Sequence, residues 1–135
     1  MHQHILSNTP MLPTHTHTHT GLSDGPIPTP YSKLLEEKCH SLGWSLVQPI
    51  LSSSYLGFGH RSLVSDTDEI TQLMDYLVCH HSATNFALVG HSTGCQNSIH
   101  FLKHGRKDVV DMVKVCVYMY VSVCVVVLLL VWRIN

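Results

Sequence analysis

Gly90-His91-Ser92-Thr93-Gly94 is the run in this chain whose residue types and spacing point most directly to a reaction. It has the form G-x-S-x-G. A serine hydroxyl is a weak nucleophile, so a protein that uses one holds it proud of a sheet on a tight strand-to-helix turn, where a base can reach Oγ. Such a turn needs strained backbone angles and a close approach of its flanks, which residues without a Cβ allow. Ser92 is then the candidate nucleophile, and Gly90 and Gly94 are the glycines that let the turn close. The N–H of Thr93, at the start of the following helix, would point at a developing oxyanion. The chemistry is acyl transfer. A five-residue pattern also arises by chance, and the competing reading is a glycine-rich turn without chemistry.

Context separates the two. Asn85 to Val89 (NFALV) reads as an apolar strand, and Cys95 to His104 as a helix with Ile99 and Leu102 inward and Gly105 as its stop. Upstream, residues 31–42 place Leu34, Leu35, Cys39 and Leu42 at helical spacing before Gly43. Trp44 to Leu51 suits a short buried strand that Pro49 closes or bends. Ser52 to His60 is loop. Asp66 to His80 is the best helix: Ile70, Leu73, Met74, Leu77 and Val78 share a face, and Asp66, Asp68 and Glu69 occupy the first turn, where the helix dipole favours anions. Strands and helices alternating in this way predict an α/β fold, a parallel sheet with flanking helices.

The 135 residues are enough for one domain. Only 13% are charged, against a usual ~25%. Residues 21–114 hold 16 of the 17 charged side chains, so an ordinary middle stands between two unusual ends. A net charge of −1 leaves no basic footprint and argues against nucleic acid as a partner. Residues 1–20 lack the charged start and apolar run of a secretory signal, and their His15-Thr-His17-Thr-His19 alternation predicts a disordered low-complexity tail. Alternate histidines share a face of an extended strand, but no Cys or carboxylate stands nearby to complete a four-ligand shell, so no metal and no other cofactor is expected. The five cysteines form no C-x-x-C pair and read as reduced thiols in a cytoplasmic protein.

Residues 115–132 are 18 uncharged residues, 8 of them Val. As a helix they would reach ~27 Å, the lower bound for a membrane span. Lys103, Arg106, Lys107 and Lys114 on the N-terminal side would then favour a tail anchor with a cytosolic N-terminus. The Val-rich composition favours a strand instead, which would use five to eight of these residues. A third reading joins both ends: His-Thr alternation is what a CA dinucleotide repeat encodes, and Val-Cys alternation is what a GT repeat encodes. Both ends then derive from repeat-bearing DNA read into the chain.

The middle of the chain resembles a known group. WSLVQPILSSSYLGFGHRSL, followed by the acidic helix and ALVGHSTGCQ, is similar to plant and fungal α/β-hydrolase-fold proteins of largely unassigned function, whose fungal relatives include siderophore esterases. The resemblance spans about residues 21–114. It implies a partial α/β-hydrolase domain, truncated at both ends, with Ser92 as nucleophile and a small ester or acyl compound as substrate. It also implies that the Gly21–Gly25 loop follows an early strand and supplies the second oxyanion donor, the N–H of Leu22, beside Thr93. That strand is missing, its place taken by the His-Thr run, and Asn97 stands where the family usually carries an acidic residue. The family's order is Ser, then acid, then His. Asp108 and Asp111 come too early for the acid, and His100 and His104 lie about 12 and 18 Å along the nucleophile helix. General base and acid are therefore expected to be absent from this chain, which predicts an inactive fragment, or alternatively a non-catalytic membrane-anchored remnant.

Overall fold

The structure is a computed structural model, and it describes residues 2–7, 32–54, 57, 59–119 and 127–129. Its centre is a five-stranded sheet in the order β2-β1-β3-β4-β5, formed by β1 (His2–Ser7), β2 (Ser45–Val47), β3 (Phe86–His91), β4 (Val113–Met119) and β5 (Val127–Leu129). Helices α1 (Ser32–Ser41), α2 (Leu63–His81), α3 (Thr93–His104) and α4 (Lys107–Val110) connect and flank it.

Mixed helix and strand in this alternation is an α/β arrangement. The sheet itself is mixed rather than parallel, which corrects the sequence reading. Only β3 and β4 pair in parallel; β1 runs antiparallel to both β2 and β3, and β5 antiparallel to β4. Since β1 opposes both its neighbours, β2, β3 and β4 all point the same way, and their C-terminal ends share one edge of the sheet. The α/β logic of the sequence holds for those three strands. What local pattern does not reveal is that a fourth strand would insert between the first two.

That fourth strand corrects a second expectation, a disordered stretch over residues 1–20. Residues 2–7 enter the sheet because Ile5 has a place in the core: it is fully buried, opposite Val47 on one side and Leu88 on the other. The His-Thr run lies outside the described residues. Strand β1 stands beside β3 and runs antiparallel to it. Its Ser7 end meets Phe86, so the chain leaves β1 at the sheet edge away from Ser92.

At the other end, Val113–Met119 is β4, hydrogen-bonded to β3 along its length, and Val127–Leu129 is β5. The strand reading of this Val-rich segment is the one observed over those residues. Among the described residues no helix is long and apolar enough to cross a membrane.

The core lies between the sheet and the α2–α3 layer. Ile5, Phe86, Leu88 and Cys116 from the strands meet Ile70, Met74 and Leu77 of α2 and Cys95 and Phe101 of α3. Helix α2 begins at Leu63, earlier than the acidic run suggests, because Ser62 caps it: the Ser62 side chain accepts from Ser65 N, and Ser65 Oγ accepts from the Ser62 backbone N–H. Two inward faces differ from expectation. In α3, Ile99 is exposed while Phe101 is fully buried; in α1, Leu34 and Leu42 are exposed and Cys39 is buried. Burial pushes the Cys39 thiol above its ordinary value. Cys39, Cys79, Cys95 and Cys116 are free.

Candidate active site

Strand β3 ends at His91 and α3 starts at Thr93, so one residue makes the turn between them. That residue is Ser92, with φ 58° and ψ −121°. Positive φ is uncommon for a residue with a Cβ, and strain of this kind persists only where the surroundings impose it, at a cost of ~1–3 kcal/mol. The surroundings are the two glycines. A Cβ on Gly90 would sit 2.6 Å from both the carbonyl carbon and oxygen of Gly94 and 2.8 Å from the nitrogen of Cys95. Those are backbone atoms, so no rotamer change relieves them. The strand and the first turn of α3 are pressed together at this point, and the chain reverses over Ser92.

Further bonds hold the turn. Cys95 N donates to Ser92 O at 3.0 Å, Cys95 Sγ to Gly90 O at 3.2 Å, and Ser98 Oγ to Gly94 O at 2.9 Å. Cys95, three residues after Ser92, is 1% exposed and packs beneath the turn. These contacts explain the inward face of α3. Gly94, Cys95, Asn97, Ser98 and Phe101 point in because the close approach at Gly90 sets the helix rotation, and Ile99 is left outside.

Ser92 and Thr93 are half-buried. The Thr93 N–H belongs to the first turn of α3, whose amides an α-helix leaves without internal acceptors and whose dipole end is positive. Donor and hydroxyl are thus adjacent at the shared C-terminal edge of β2, β3 and β4, where open α/β sheets form their crevices. The other proposed donor, Leu22, lies outside the described residues.

The histidines and carboxylates near in sequence do not gather at Ser92. Among the described residues no side chain hydrogen-bonds Ser92 Oγ. His100 Nδ1 pairs with Thr67 Oγ1 at 2.7 Å, and the His104 ring packs on His100 with centroids 4.6 Å apart. Asp108 accepts from Arg106 Nε at 2.7 Å, and the nearby guanidinium holds its carboxyl below the ordinary value; Asp111 accepts from Lys107 Nζ at 2.7 Å. Both carboxylates follow α3 and sit at the end of the sheet opposite Ser92. Arg106 also grips Asp75 with two nitrogens, tying α2 to the α3–α4 turn. His60 is exposed on the loop after β2. Among the described residues no group of three or more His, Cys, Asp or Glu side chains is arranged to hold a metal ion.

One cluster was not anticipated. Asp66, placed by the sequence in a first helical turn where the dipole favours anions, is 3% exposed and accepts from Ser53 Oγ at 2.8 Å. Glu69, one turn on, accepts from Ser52 N at 2.8 Å and from Ser52 Oγ. The sequence signal was present, two acids at i, i+3 opposite a serine-rich loop, but the contact spans 13 to 17 residues and no local pattern announces it.

Comparison with known proteins bears on the same region. Residues 13–123 match the model of a family described as a protein of unknown function, DUF1749, a longer stretch than the 21–114 resemblance. The chain is 37% identical over 86 residues to a UPF0613 protein of Schizosaccharomyces pombe, covering 61% of this chain and 27% of that one. It is 30% identical over 90 residues to an esterase of Emericella nidulans, covering 62% and 24%, and 36% identical over 90 residues to Fusarinine C esterase of Aspergillus fumigatus, covering 61% and 25%. The chain thus spans about a quarter of the length of these relatives. No solved structure matches it. With 111 of its 135 residues inside the family match, this chain belongs to the DUF1749 family.

Proposed function

We propose that Ser92 is the acyl-accepting nucleophile of an ester-hydrolase site, and that the described residues supply the nucleophile and an oxyanion donor without the general base and its acid. The observation that carries the reading is the backbone of Ser92, held at positive φ on a one-residue turn between β3 and α3. A turn without chemistry gains nothing from that strain, since glycine would adopt the same angles at no steric cost. The esterase names of two relatives point the same way.

In the proposed reaction Ser92 Oγ attacks the carbonyl carbon of a small ester, and the carbonyl oxygen becomes an oxyanion facing Thr93 N–H. Collapse expels the alcohol and leaves the acyl group on Ser92; water then releases the acid. Both steps require a proton to leave the attacking oxygen. A positioned base contributes typically ~10²–10⁴-fold to such a step. With His100 committed to Thr67 and no base on Ser92 Oγ among the described residues, the isolated chain is expected to show negligible turnover.

The test is hydrolysis of p-nitrophenyl acetate by the chain and by its Ser92→Ala variant. Equal rates, both at the level of buffer, are expected. A rate that Ser92→Ala lowers by more than about tenfold would show that a base is in place.

A further inference from the structure

His100 and His104 do not gather at Ser92, but they do gather with each other. Spaced i, i+4, they share one face of α3. Their rings are in contact, with centroids 4.6 Å apart and planes tilted by 42°. Each imidazole has one nitrogen lone pair to give, and one helix backbone holds both rings. Two imidazoles so placed can grip a single metal ion.

The two rings are held differently. His100 is half-buried, and its Nδ1 pairs at 2.7 Å with Oγ1 of Thr67, a buried residue of α2. With the ring proton on Nδ1 and Thr67 Oγ1 accepting it, the lone pair is left on Nε2, which makes no hydrogen bond among the described residues. Metal-ligating histidines are oriented in this way, their other ring nitrogen donating to a fixed acceptor. His104 is exposed, and its ring makes no hydrogen bond among the described residues, so it can turn toward a shared ion.

The charge around the pair also suits a cation. His104 is the last residue of α3, where carbonyls without intrahelical partners form the negative end of the helix dipole. Arg106 is engaged by Asp75 and Asp108. Lys103 is exposed, and water and salt screen its charge.

We propose that His100 and His104 form a two-imidazole clip for a divalent transition-metal cation of the kind imidazole favours, such as zinc, copper or nickel. Two nitrogens on one zinc, each at ~2.0–2.1 Å, stand about 3.4 Å apart in a tetrahedral shell. Rings with centroids 4.6 Å apart are close enough for a turn of His104 to supply that spacing. No third His, Cys, Asp or Glu completes the shell among the described residues, so water or an added ligand takes the other positions. The clip is independent of the proposed role of Ser92.

The test is a zinc titration of the whole chain at pH ~7.5, where imidazoles are ordinarily neutral, followed by NMR of the histidine rings and by thermal unfolding. It is run with His15→Gln, His17→Gln and His19→Gln in place, which removes the other closely spaced imidazoles. The His100 and His104 ring signals are expected to move together and to saturate together, with a rise in unfolding temperature. His104→Gln should weaken zinc at this site by at least about tenfold, because the second imidazole of a clip binds intramolecularly. Thr67→Val, which removes the acceptor and keeps the branched shape, should weaken it by about tenfold, and Thr67→Ser should restore it. Ring signals of His100 and His104 that stay still while other histidines respond would overturn the clip. So would a His104→Gln chain that binds zinc as tightly as its parent, which would leave an adventitious ion only on a single imidazole.

Discussion

Gly90→Ala is expected to cost the fold about 3 kcal/mol, the upper part of the range for forcing an added methyl into packed structure. The added carbon would lie 2.6 Å from two backbone atoms of Gly94 and 2.8 Å from the backbone nitrogen of Cys95. Overpacking against a side chain is relieved by a rotamer change. Here relief requires β3 and α3 to separate, which stretches the Cys95 Sγ bond to Gly90 O and undoes the turn at Ser92. Against a total stability of ~5–15 kcal/mol the loss is large enough to read in a denaturant titration. A midpoint within error of the parent would show that the close approach at Gly90 does not exist.

Phe101→Ala should cost about 3–5 kcal/mol, as for other fully buried aromatics. Phe101 is 0% exposed and belongs to the cluster that joins α3 to α2, β3 and β4. Removing its ring leaves a cavity that the sheet cannot fill, because Phe86 and Leu88 are fixed by the pairing of β3 on both sides. Ile99, the neighbour that sequence spacing favours as the inward residue, provides the control. At 52% exposure, Ile99→Ala should change stability by less than about 1 kcal/mol. If the two substitutions cost the same, α3 is rotated differently from the structure described.

That contrast shows where the sequence was legible. A strand, a turn and a helix around Ser92 followed from NFALV, the glycines and the residues after them, since each is a local signal. Helix α2 was legible for the same reason, and so was most of its apolar face, with Ile70, Met74 and Leu77 buried and Leu73 packed against them, but Val78 is exposed. The rotation of α3 was not, because polar Asn97 and Ser98 point inward with Phe101, and only the contact of Gly94 with Gly90 dictates this. Strand β1 was not legible either. It carries one described core residue, Ile5, and its direction is fixed by hydrogen bonds to strands some 40 and 80 residues away. The burial of Asp66 was not legible, because contact with a turn 13 residues upstream leaves no periodic trace. Of the candidate site, Ser92, Thr93, Gly90 and Gly94 come together at one turn, and Leu22 lies outside the described residues.

The proposal that Ser92 is a nucleophile, with no base on its Oγ among the described residues, has a direct chemical test. Chemical rescue tests it directly: the chain is incubated with p-nitrophenyl acetate, with and without imidazole as an external base, and the acetyl group is located by mass spectrometry. Acetyl is expected on Ser92, forming at least about tenfold faster with imidazole and absent from Ser92→Ala. Acetyl found only on lysines or cysteines, or at the same rate in Ser92→Ala, would contradict it.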